Sequence, residues 1–62
     1  MYKVGDKVRI IRNLTGHGFE MGEIVTVSSL QDDGRINTCE SSFDYFFVVD
    51  EEVERISNEE TN

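Results

Sequence analysis

One histidine, one cysteine and two serine pairs are the residues of this chain best suited to covalent or acid–base chemistry. His17 lies between Gly16 and Gly18, where a flexible backbone would present an imidazole to solvent or to a ligand for proton transfer. No positioned acid or nucleophile accompanies it in sequence, so it reads as an ordinary loop histidine. Cys39 is followed by Glu40, whose carboxylate disfavours the thiolate, and it reads as a half-buried packing residue rather than a nucleophile. Ser28-Ser29 and Ser41-Ser42 lack the neighbouring base a triad requires. Gly16-His17-Gly18 is too short for a phosphate loop and does not stand between a strand and a helix. A single cysteine forms no disulfide within the chain, and with one histidine it makes no zinc-finger-type site. No catalytic residue, metal or cofactor is therefore expected, and the chain reads as non-enzymatic.

The acidic residues are the stronger signal. From Met1 to Arg35 the bases Lys3, Lys7, Arg9, Arg12 and Arg35 balance Asp6, Glu20, Glu23, Asp32 and Asp33. From Ile36 onward Glu40, Asp44, Asp50, Glu51, Glu52, Glu54, Glu59 and Glu60 face only Arg55, which accounts for the whole net charge of -7. A localised acidic surplus repels nucleic-acid phosphates and attracts basic protein surfaces. Phosphate mimicry would need an ordered array at about 1.7 Å per charge along the duplex axis, more than eight acids on one small domain supply. The run from Asp50 to Glu54 serves solubility at the least.

With 62 residues the chain forms one small domain, which buries only about 60% of its unfolded surface and has little room for a deep pocket. No apolar run approaches the roughly 20 residues that cross a bilayer, and the first residues alternate charge with aliphatics where a signal peptide would be continuously apolar. A soluble, cytoplasmic protein without membrane contact is expected, its free thiol suiting a reducing compartment. Asn13-Leu14-Thr15 fits the glycosylation pattern, which matters only in a secreted chain.

These residues must be positioned by strands. Lys7 to Arg12 alternates charged and β-branched residues, which turns Val8 and Ile10 inward, with Ile11 breaking the alternation at a bend. Asn13 to Gly22 carries three glycines and no helical period, and reads as a long loop. Glu23 to Ser29 is dense in β-branched residues and forms a second strand, with Val25 and Val27 inward and Ile24 shared. Gln31-Asp32-Asp33-Gly34 supplies a tight hairpin with two residues tolerant of left-handed backbone. Strands over Arg35 to Glu40 and Phe43 to Val49 follow, joined at Ser41-Ser42. Asp50-Glu51-Glu52 suits one short 3-10 turn before a last strand over Val53 to Ile56. Residues 57–62 read as a polar tail. The expected fold is all-β: a five-stranded barrel over residues 1–56.

Val4-Gly5-Asp6-Lys7-Val8, then Gly22-Glu23-Ile24-Val25-Thr26-Val27, then Val49-Asp50-Glu51-Glu52-Val53-Glu54 resembles the small SH3-like β-barrel proteins of bacteria and their phages. The resemblance spans nearly Val4 to Ile56 and implies barrel architecture rather than a particular activity. The same opening resembles the KOW motif of ribosomal and transcription-elongation proteins. That likeness implies contact with nucleic acid or its machinery through Lys3, Lys7, Arg9 and Arg12. The chain departs from the motif in its loop, which holds one acid and one histidine where KOW loops are basic. It also departs from eukaryotic peptide-binding members of the fold, whose grooves use clustered aromatics and a proline. This chain has no proline or tryptophan, and its loop supplies only Phe19.

Tyr45-Phe46-Phe47 is the main local anomaly. Neighbours on a strand face opposite ways, so the interior takes either Phe43, Tyr45 and Phe47 or Phe46 with Val48. At least one ring must face outward, where the loop or the carboxyl-terminal segment covers it or a partner does. Aromatics at interface centres with carboxylates at the rim suit a basic protein partner, which makes Phe19, Tyr45 and Phe46 with Asp44, Glu51 and Glu52 the expected contact patch. Self-association into a homodimer would cover the same patch. The leading expectation is a protein–protein interaction regulator, with the KOW-like nucleic-acid module as the alternative.

Overall fold

The computed structural model describes residues 2–56 and contains five strands and one 3-10 turn, in the order β1 (Lys7–Ile10), β2 (Ile24–Leu30), β3 (Ile36–Glu40), β4 (Tyr45–Phe47), η1 (Asp50–Glu52) and β5 (Val53–Arg55). The tail expected over residues 57–62 lies outside the described residues. All five strands join one antiparallel sheet in the order β4-β3-β2-β1-β5. Among the described residues no ladder joins the end strands β4 and β5.

The sheet divides at β2. Its first half pairs with β1 through Ile24, Val25 and Thr26, and its second half pairs with β3 from Thr26 to Leu30. Register shifts between Val27 and Leu30 interrupt the second ladder, a bulge of the kind that bends a strand and increases its twist. Val8, Ile10, Val25, Val27, Ile36, Cys39, Val48 and Val53 thereby reach a single core that also takes Phe19 from the loop. Val8, Ile10, Val25 and Val27 are inward, as their alternation requires. Ile24, expected to be shared, is exposed because it stands opposite Arg9 on the outer face.

The β2–β3 hairpin differs in detail from the expected tight turn. The Gly34 N–H donates to the Gln31 carbonyl (2.9 Å) and the Gln31 N–H to the Arg35 carbonyl (2.7 Å), which leaves Asp32, Asp33 and Gly34 as a three-residue loop. Only Gly34 is left-handed, with φ of 89°, since the preceding aspartates complete an ordinary turn.

The long connection between β1 and β2 folds over the inner side of β4. Phe19 is buried and meets Phe46 edge-on, with ring centroids 5.0 Å apart. Phe46 also lies against the loop backbone, so that a Cβ at Gly18 would come within 2.5 Å of its Cζ atom. At the other edge Tyr2 packs against the core, with the Arg55 guanidinium 4.5 Å above its ring. Gly18→Ala is expected to destabilise the fold by about 1–3 kcal/mol through overpacking against Phe46, read as a lower denaturant midpoint with unchanged slope. An unchanged midpoint would show that the loop does not press on this ring.

Candidate functional site

The run Asp50-Glu51-Glu52 forms the 3-10 turn, and the turn sends its three acids to three environments. Asp50 Oδ1 accepts the Ile36 N–H (2.8 Å), which fastens the turn to β3. Glu51 is exposed, and its carbonyl accepts a bond from Arg12 Nη1 (3.0 Å). Glu52 is fully buried. It was expected on the contact patch, but its side chain turns inward and binds the loop.

The Glu52 carboxylate is saturated with donors. Oε2 accepts the N–H groups of Leu14 (2.6 Å) and Thr15 (2.8 Å) and the Thr15 hydroxyl (3.0 Å). Oε1 accepts the Val49 N–H (2.9 Å), and the Glu52 N–H returns a bond to the Val49 carbonyl (3.0 Å), the reciprocal arrangement of a capped first turn. The Glu52 carbonyl accepts the N–H groups of Ile11 (2.8 Å) and Arg12 (3.2 Å). Burial by itself would raise this carboxyl's pKa, but the amides of Val49, Thr15 and Leu14 and the Thr15 hydroxyl outweigh it and hold the pKa below the usual value of 4.5.

His17 was expected to be available to solvent, yet it is buried beside this carboxylate, with Nε2 3.5 Å from Glu52 Oε2. The Phe19 N–H donates to Nδ1 (3.2 Å), so the ring proton sits on Nε2 and is donated to the Arg12 carbonyl (2.8 Å). Asn13 closes the loop by donating to the His17 carbonyl (3.0 Å) and accepting the Gly16 N–H (3.0 Å). The histidine is a structural element of the loop.

Cys39 is fully buried rather than half-buried. Burial, and then the negative charge of Glu52, push its thiol up to about 11, so the acid that acts on it is Glu52 rather than the neighbouring Glu40. Ser28 and Ser29 share a hydroxyl cluster with buried Thr38, at 2.8 and 2.6 Å.

Of the residues expected to make the contact patch, Phe19 is core, Phe46 is largely covered by the loop, and Glu52 is inside. Asp44, Tyr45 and Glu51 are exposed. Because Phe46 turns inward, Tyr45 and Phe47 turn outward and remain 62% and 67% exposed, while Phe43 is 97% exposed at the tip of the β3–β4 hairpin. The Thr15 hydroxyl donates to the Phe47 carbonyl (3.2 Å), which sets exposed Leu14 at the same end of β4. Glu40 stands directly across from Tyr45 on the same face. Among the described residues no ion pair engages Glu40, Asp44 or Glu51. The site revealed by the structure is therefore Phe43, Tyr45 and Phe47 flanked by uncompensated acids. Phe43 and Phe47 belonged to the inward alternative of the alternation argument, and the sequence carries no signal that decides between the two sets.

Basic residues are dispersed and partly engaged. Arg9 pairs with Glu54 (2.9 Å), Arg35 with Asp33 (3.0 Å) and Arg55 with Asp6 (3.3 Å). No helix among the described residues is long and apolar enough to cross a membrane. Comparison with protein-family models, with curated proteins and with solved structures finds no match.

Glu52→Gln offers one acceptor oxygen where two are used and turns an amide donor toward N–H groups. It is expected to cost about 3 kcal/mol in chemical denaturation. Because the folded pKa of Glu52 is depressed, its contribution is complete above the ordinary carboxylate range and is lost as pH falls through the folded value. The stability difference between wild type and E52Q is therefore expected to shrink between pH 5 and pH 2; a difference constant with pH would refute the charged network. Cys39 is expected to resist alkylation at neutral pH in the native state and to react on unfolding.

Proposed function

We propose that this chain is a non-enzymatic binding module of SH3-like barrel architecture that recognises a protein partner through the outer face of β4. The observation that carries the reading is the exposed stripe of Phe43, Tyr45 and Phe47 beside Glu40, Asp44 and Glu51. Large aromatics left bare on so small a domain favour contact with another protein, and unpaired carboxylates around them favour a basic partner. The strand order β4-β3-β2-β1-β5, the long first loop and the 3-10 turn before the last strand support the SH3-like assignment. The turn bridges the two ends of the sheet, because Asp50 bonds to β3 while the Glu52 carbonyl bonds to the chain leaving β1.

A small regulator of bacterial or phage origin acting in the cytoplasm is the setting in which this module fits its sequence resemblance and its buried free thiol. The KOW-like alternative is less well supported, since Arg9 is neutralised by Glu54 and Arg12 is turned to the Glu51 carbonyl. Nucleic-acid binding built on the remaining lysines would be weak and would fall steeply with salt.

The double variant Phe43→Ser, Phe47→Thr is expected to keep the wild-type melting behaviour within about 0.5 kcal/mol, because both rings are exposed. Immobilised wild-type protein is expected to capture basic proteins from a bacterial lysate that the double variant loses by about tenfold or more. Equal capture by both proteins, or recovery of nucleic acid instead, would overturn the reading.

A further inference from the structure

The backbone of β4 is as informative as its rings. In an antiparallel ladder alternate residues direct both N–H and C=O toward the partner strand. The Ser41 N–H donates to the Asp44 carbonyl (2.8 Å) and the Val48 N–H to the Asn37 carbonyl (3.1 Å), so Asp44, Phe46 and Val48 face β3. Tyr45, Phe47 and Val49 consequently face away from the sheet. Two of their groups are satisfied internally, the Phe47 carbonyl by the Thr15 hydroxyl and the Val49 N–H by Glu52. The Tyr45 N–H and carbonyl and the Phe47 N–H have no protein acceptor or donor among the described residues.

Sheet edges are ordinarily blunted by lysine, proline or a covering segment. β4 carries neither residue, and its cover stops at Phe47. The open backbone groups coincide with the exposed aromatic stripe, so one added strand would satisfy both.

Charge decides what that strand is. Glu40 lies across from Tyr45, Asp44 adjoins it, and the chain as a whole carries a net charge of -7. A second copy would bring these acids together across the new pairing, which like charges oppose. An extended segment with alternating basic residues would place a cation near the Tyr45 ring and the Glu40 carboxylate. We propose that the open edge of β4 receives an extended basic segment of a partner protein as an additional strand, hydrogen-bonded to Tyr45 and Phe47. The proposal rests on the protein-binding reading above and specifies its mode.

The test uses the full chain, isotopically labelled, with a short synthetic peptide of alternating lysine and valine. Its glutamate–valine counterpart is one control, and the lysine peptide N-methylated on alternate residues, in both phases, is the other. The lysine peptide is expected to bind, to slow hydrogen exchange at the Tyr45 and Phe47 amides, and to weaken as salt rises. The glutamate peptide is expected to bind at least about tenfold more weakly, and N-methylation of the phase that faces β4 to abolish binding. Binding that survives both N-methylated phases yet is lost in the Phe43→Ser, Phe47→Thr variant would overturn strand addition while leaving the aromatic surface intact. Failure of the lysine peptide to bind, or concentration-dependent self-association in sedimentation protecting the same two amides, would overturn the basic partner.

Discussion

A single buried carboxylate holds this fold in its observed form. Glu52 accepts bonds from Leu14, Thr15 and Val49 with its side chain and from Ile11 and Arg12 with its carbonyl. The loop between β1 and β2 has no regular structure of its own, and its backbone donors would be costly to leave unpaired beside an apolar core. The carboxylate resolves that cost for several of them at once. It is tolerable inside because each oxygen meets at least two donors, which favours the charged form despite burial.

The placement of the loop determines what remains outside. With residues 11–17 fastened by Glu52, His17 and Phe19 are carried inward, and Gly18 passes close enough to Phe46 that no side chain fits between them. Phe46 is thereby committed to the interior. Strand geometry then obliges Tyr45 and Phe47 to face solvent, so the exposed aromatic surface follows from a hydrogen-bond network on the other side of β4. The same network uses the outward groups of Val49 and Phe47 and leaves those of Tyr45 open.

Charge follows a similar division. Arg9, Arg35 and Arg55 are each drawn to a nearby acid, while Glu40, Asp44 and Glu51 are not paired among the described residues. The negative field therefore concentrates around the bare aromatics rather than spreading over the domain, which is the arrangement that steers a basic partner toward them.

The alternation of β-branched and polar residues, the Asp-Gly signal and the short run Asp50-Glu51-Glu52 suffice to predict five strands, a hairpin and a 3-10 turn. Those features are local, set by side-chain period and backbone preference, and the structure reproduces their order with ends shifted by a few residues. The inward pairs Val8 with Ile10 and Val25 with Val27 were legible for the same reason. The candidate site was not. In Phe43 to Val48 both faces of the strand are apolar, so period alone is indifferent between burying Phe46 and burying its neighbours. Among three consecutive acids nothing in composition marks Glu52 as the buried one, because its partners lie 34 to 41 positions away in the chain. Only the packing of the loop against β4 and the turn decides both questions, since a buried charge and an exposed ring are each set by contacts between segments distant in sequence.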